Sequence, residues 1–101
     1  HVDELIDAMV LLVERGSSGL SIYNIGSNGT STTVASIAER FTKAVSPETK
    51  IRYGETNCGW VGDIPCFNYS IEKAKGMGWA PALTSDQAID AVLSQIAESL
   101  S

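Results

Sequence analysis

Two stretches and one pair of residues in this chain have types and spacings that could do chemistry. The first stretch is "SIYNIGSNGTSTTVASIAERF", residues 21–41, where an apolar run passes through Gly26 and Gly29 into a helical pattern. Strand, glycine turn and helix in that order can cradle a pyrophosphate, but the fingerprint needs three glycines and an acidic residue about twenty positions on. Here Thr32 stands where the third glycine belongs, and Glu48 sits in a proline-containing turn instead of at a strand end. An Asn-Gly turn followed by a capped helix accounts for these residues without a ligand, so no NAD is expected on this loop. The second stretch, "YSIEK", places Tyr69 and Lys73 four apart, the spacing at which a helical Lys lowers the pKa of a proton-transferring Tyr. Ser70 reads as the helix cap, which leaves Tyr69 ahead of the helix and off the face of Lys73. The pair is expected to be structural. Cys58 and Cys66, with a lone histidine at position 1, match neither a redox pair nor a zinc-ligand spacing. Free thiols and no metal are the expectation. The sequons at Asn28 and Asn68 carry meaning only in a secreted protein, and nothing in the chain signals secretion.

The elements that must position these residues follow from periodicity. Val2, Leu5, Ile6, Met9, Val10 and Val13 recur at three- and four-residue steps, which predicts an amphipathic helix over 2–15 that opens without a cap. The glycines at 16 and 19 end it. Residues 20–25 and the "KIRY" of 50–53 carry the β-branched and aromatic side chains of short strands. A second helix is predicted over 32–45, capped by Ser31 or Thr32 and stopped by Pro47. Residues 54–68 read as a loop, Ser70 as the cap of a short helix ending at Gly76 or Gly78, and "GWAP" as a turn that buries Trp79 between the last two helices. Thr84 and Gln87 form a capping box for a last helix over 85–99. The expected order is α-β-α-β-loop-α-α, an α/β chain.

Composition sets the outer limits. With 101 residues, 44% hydrophobic and 19% charged, the chain has the size and makeup of one globular domain or a part of one. A net charge of −5 with scattered basic residues excludes nucleic acid and an anionic membrane surface as partners, because both require clustered Lys and Arg. No apolar run approaches the roughly 20 residues of a membrane span. The chain opens at His1 within a helical pattern, and the expectation is a fragment of a larger protein.

Taken together, "HVDELIDAMVLLVE", "YNIGSNGTSTTVASIAERF" and "GWVGDIPCFNYSIEKAKGMGWAP" resemble the C-terminal part of the NAD-dependent epimerase/dehydratase family, extended short-chain dehydrogenases that act on sugar nucleotides. The similarity runs over nearly the whole chain. It implies that residues 1–101 are the substrate-binding region of a larger cytoplasmic enzyme, lacking the Rossmann domain. NAD(P) and the catalytic residues would then belong to the parent's own N-terminal Rossmann domain, with roughly 200 further residues upstream. The fragment itself would be catalytically silent, the parent a homodimer. By the same resemblance Thr33 and Val34 border the nucleotide base, and Asp63 and Phe67 lie near the ribose and diphosphate. Many relatives carry an Arg two or three residues before the "GD" pair, where it can fork onto the diphosphate, and members with "GW-x-GD" usually carry one just before the Gly-Trp; Cys58 stands at that point in this chain.

The loop from Cys58 to Phe67 is the expected substrate edge, with Trp60 and Asp63 its main contributors. Gly59 and Gly62 permit a close turn around a ligand, and Pro65 stiffens the exit. Asp63 has a second reading as a turn cap or a partner of Arg52, and the residues alone leave both open. The competing reading of the chain as a whole is a stand-alone α/β interaction or nucleotide-binding module without catalysis.

Overall fold

The computed structural model describes residues 1–57, 59–62 and 67–101. Among these residues lie four helices: α1 (Val2–Arg15), α2 (Val34–Val45), α3 (Glu72–Gly76) and α4 (Ser85–Leu100). No strand occurs among the described residues, which overturns the expected α/β class. Residues 20–25 and 50–53 carry strand-forming side chains but pair with no backbone among the described residues, and extended residues without a ladder of hydrogen bonds form no sheet. They are tied down by side chains instead. Lys73 Nζ donates to the Ile22 carbonyl at 2.9 Å and lies 4.5 Å from the centre of the Tyr23 ring. The Tyr53 hydroxyl donates to Glu39 Oε1 at 2.7 Å; that bond to the carboxylate, followed by burial, raises the phenol pKa.

The helices form where periodicity places them, and their caps explain their ends. His1 caps α1: its Nδ1 accepts from the Asp3 N–H at 3.2 Å, and Glu4 reaches back to the N-terminal amine at 3.2 Å. The helix therefore does not open uncapped, and Asp3, Glu4 and Arg15 match its dipole. The cap of α2 is Thr33, one or two residues later than expected, with Oγ1 accepting from the Ser36 N–H at 3.1 Å. Ahead of Pro47, Ser46 leaves helical geometry at φ −150°, ψ 77°. Thr84 and Gln87 close the capping box on α4 as expected. Ile71 occupies the cap position of α3, although the Ser70 hydroxyl still accepts from the Glu72 N–H at 3.3 Å.

The core is small. Ala8, Ile71, Ala74 and Trp79 are buried together, with Leu11, Tyr23 and Ile25 packed against them. Trp79 thus seals α1 onto α3 instead of filling a gap between α3 and α4. α2 and α4 pack side by side, linked by Arg40, which contacts Asp90 at 2.6 Å and Asp86 at 3.3 Å. The molecule is a thin slab of 53 × 37 × 18 Å with a radius of gyration of 17.0 Å, against about 13 Å for a compact chain of this length.

Trp79 is aimed inward by the end of α3. Gly78 N–H bonds to Lys75 O at 2.9 Å and Trp79 N–H to Ala74 O at 3.1 Å, the paired bonds of a Schellman stop, with Trp79 touching Ala74 as its hydrophobic contact. Gly78 takes φ +98° there, and a Cβ on it would lie 2.6 Å from Arg15 Nη1. Gly78→Ala is expected to cost about 1–2 kcal/mol, from left-handed strain and displacement of Arg15. Urea midpoints of the two proteins, compared at constant slope, measure it.

Candidate functional site

Two concave places lie along the segment that leads into α2. The larger is a cavity of about 570 Å³ over the junction of α1, the 25–32 loop and the start of α4, with Glu4, Ile25, Thr32, Trp79 and Ile89 among its walls. Its framework is built on Glu4. Glu4 Oε1 accepts from the Ala82 and Leu83 N–H groups at 2.8 and 3.0 Å, while the Trp79 indole N–H donates to the Glu4 carbonyl at 3.2 Å. Desolvation alone would raise the Glu4 pKa; the N–H groups of Leu83 and Ala82, with the N-terminal amine, outweigh it and hold the carboxyl below its ordinary range. His1 Nε2 is buried in the wall with no hydrogen-bond partner among the described residues.

The loop is fastened to α4 by Thr30 and Ser85. Ser85 N–H donates to Thr30 Oγ1 at 3.0 Å, and Ser85 Oγ donates to Thr30 O at 2.7 Å. This clasp sets where the first turn of α2 points. Thr33 closes that turn as its cap, and Val34 begins the helix with its side chain 82% exposed, so the pair expected to border a nucleotide base presents an open apolar surface.

The smaller place is a depression of about 160 Å³ lined by Ser27, Phe67, Asn68 and Tyr69. Phe67 stacks on Tyr69 with ring centres 5.5 Å apart and planes 27° from parallel. The structure thus brings Phe67 to the glycine loop, while Thr33, Val34 and Trp60 do not line that depression. Trp60 is largely exposed, and its ring lies over Gly62, where a Cβ would collide with it. Asp63 lies outside the described residues, as do Cys58 and Cys66.

The glycine loop does not fit NAD(P). Tyr69 occupies the space beside Gly26, where a Cβ would come within 2.8 Å of its ring. Gly29, at φ +87°, makes a turn five residues before α2 begins at Val34. A dinucleotide loop needs its glycines free for pyrophosphate and adjoining the helix N-terminus. These glycines serve a packed tyrosine and a turn. Tyr69 also precedes α3, and Lys73 is engaged by Tyr23 and Ile22. Tyr69 and Lys73 therefore form no catalytic pair. Among the described residues no cluster of His, Cys, Asp and Glu could hold a metal ion, and no helix is long and apolar enough to cross a membrane.

Sequence reasoning did not single out Glu4 as the centre of a network. The Glu three residues after a capping His was the available signal. No family model matches the chain, and no solved structure matches it significantly. The chain is similar to GDP-L-fucose synthase 1 of Arabidopsis thaliana, with 34% identity over 84 residues. That match takes in 83% of this chain and 24% of the relative, so the chain spans about a quarter of the protein it resembles, and the similarity supports an epimerase-like relationship at that coarse level.

Proposed function

We propose that this chain is the sugar-nucleotide-binding part of an NAD(P)-dependent enzyme of the epimerase type, with the cofactor and the proton-transferring residues held by a larger domain. The observation that carries the reading is the match to GDP-L-fucose synthase 1 across 83% of the chain. Geometry supports it at the start of α2, where Val34 offers an exposed apolar surface and the first-turn N–H groups can meet a base carbonyl. Phe67 and Trp60 add exposed aromatic area for the remainder of the nucleotide, and Asp63 is the proposed acceptor for ribose hydroxyls. When bound by the larger domain, NAD(P) would supply hydride removal and return. This chain binds and orients the sugar nucleotide and moves no proton itself.

The test is a titration of the isotopically labelled chain with GDP- and UDP-linked sugars and, separately, with NAD. Expected are millimolar shifts of the amide signals of Thr33, Val34 and Phe67 and of the Trp60 indole with at least one sugar nucleotide, and no NAD affinity tighter than roughly 100 μM, about −5.5 kcal/mol. Unmoved signals at all four positions with both sugar nucleotides at about 10 mM, above the weakest dissociation constant the reading allows, would sink it. In the complete enzyme, Asp63→Asn should raise KM and leave kcat and melting temperature nearly unchanged. A large drop in melting temperature with unaltered kinetics assigns Asp63 to the scaffold.

A further inference from the structure

We propose that Asn28 is a site of spontaneous deamidation promoted by the Thr30 hydroxyl, and that its isoaspartyl product opens the clasp of Thr30 on Ser85. The chain holds four asparagines, at 24, 28, 57 and 68, and only Asn28 is followed by glycine. The next residue decides how closely its backbone nitrogen can approach the asparagine carboxamide, and glycine has no Cβ in the way. The other three asparagines precede Ile25, Cys58 and Tyr69, each of which carries one. Asn24 is tied further, since its Nδ2 donates to the Ser70 carbonyl at 3.4 Å. Asn28 and Gly29 are both exposed. The Gly29 N–H meets no acceptor among the described residues. The space beside Gly29 is open as well: a Cβ there would have only Asn68 Nδ2, at 3.8 Å, as a near neighbour.

What sets this Asn-Gly pair apart is the hydroxyl next to it. Thr30 Oγ1 donates to Asn28 Oδ1 at 3.0 Å and accepts from the Ser85 N–H at 3.0 Å. Ser85 Oγ, at 3.2 Å, is the more distant acceptor for the Thr30 proton, and its own proton goes to the Thr30 carbonyl at 2.7 Å. A hydroxyl that accepts from one N–H donates more strongly to the next group in line, so the Asn28 carboxamide is polarised toward attack. In the reaction a base in solution takes the Gly29 amide proton, and the nitrogen forms a bond to Asn28 Cγ. The carbonyl electron pair moves onto Oδ1, where Thr30 stabilises the negative charge. That pair then returns, the Cγ–Nδ2 bond breaks, and Nδ2 leaves as ammonia with a proton from water. Water opens the cyclic succinimide at either carbonyl, giving aspartate or isoaspartate. One water is consumed and one ammonia released, with no change of oxidation state. The isoaspartyl form carries an extra carbon in the main chain ahead of Gly29. The clasp needs Thr30 Oγ1 and O to reach Ser85 together, and a lengthened chain just before Thr30 breaks that register.

The test incubates the folded chain and a peptide of residues 25–32 at mildly alkaline pH and follows Asn28 by peptide mapping with mass spectrometry. Conversion in the folded chain should be at least as fast as in the peptide. Thr30→Val should slow it about threefold or more in the chain and leave the peptide nearly unaffected; water shares this exposed site, so the factor falls well below the roughly 10²–10³ of a sequestered oxyanion donor. Thr30→Ser keeps the hydroxyl and should keep the rate. Ser85→Ala loosens the clasp without removing that hydroxyl and should not slow conversion. Asn28 that converts much more slowly in the folded chain than in the peptide would overturn the proposal, a comparison that needs no variant to fold. Thr30→Val converting as fast as the unsubstituted chain would overturn it too. The isoaspartyl form, separated by ion exchange, should exchange its Ser85 amide hydrogen at least about tenfold faster than the unmodified chain, because the clasp no longer protects it. Equal protection would show that the clasp survives, and overturns the proposal as well. No ligand takes part, so the outcome is independent of the nucleotide titration above.

Discussion

Trp79→Ala should lower the unfolding free energy by about 3–5 kcal/mol, the cost of emptying a buried aromatic site. Trp79 is 7% exposed and shares one buried cluster with Ala8, Ile71 and Ala74, in which it is the largest side chain, and among the described residues that cluster joins α1 to α3. Its indole N–H also holds the Glu4 carbonyl, and truncation removes that bond together with the packing. A domain of this length is stable by roughly 5–15 kcal/mol, and a slab with so small a core belongs at the lower end. The variant should therefore be left only marginally stable, by about 0–2 kcal/mol, in the isolated chain. Urea unfolding followed by far-ultraviolet circular dichroism measures the change. A loss under 1 kcal/mol would show that the ring is dispensable to the junction and available as a ligand platform.

Glu4→Ala should cost about 2 kcal/mol, through loss of charge-assisted bonds to two backbone donors. The side chain is 18% exposed, so water can replace part of what is lost. Glu4 reaches across the chain to the Ala82 and Leu83 N–H groups, and without it the 79–84 turn loses its tie to the start of α1. The sign of the pH dependence follows from the depressed pKa of this carboxyl. A carboxylate favoured by the folded state contributes stability that is fully present above its unfolded pKa, near 4.3, and is lost as pH falls through the lower folded value. Denaturant midpoints between about pH 6 and pH 2 should fall on acidification, and Glu4→Gln should flatten the part of that fall due to Glu4. An unchanged acid profile in Glu4→Gln would mean that the carboxylate contributes nothing to this junction.

Local chemistry was legible to a good depth. The bounds of α1, the capping box at Thr84 and Gln87, the end of α2 before Pro47 and the separation of Tyr69 from the helix of Lys73 all depend on residues within a few positions of one another. Trp79 could be read as buried because a glycine stop one residue earlier turns it back on its own helix. Cap positions were less secure. Ser31, Thr32 and Thr33 are chemically interchangeable as caps, and the clasp of Thr30 on Ser85, 55 residues away, joins the loop before them to α4.

By itself, then, the sequence determined where helices start and stop, that the glycine loop lacks a dinucleotide fingerprint, and which motifs resemble a sugar-nucleotide enzyme. The tertiary structure alone decided which sector of α1 is covered. Periodicity marks Val2, Ile6, Met9 and Val13 as one apolar stripe, yet Ala8 and Leu11 meet the core while that stripe stays open. It also decided that residues 20–25 and 50–53 form no sheet and that Phe67 meets the glycine loop. The reason is physical: a helix satisfies its backbone within its own segment, whereas a strand, a buried face and a binding surface each need a partner that local sequence does not specify.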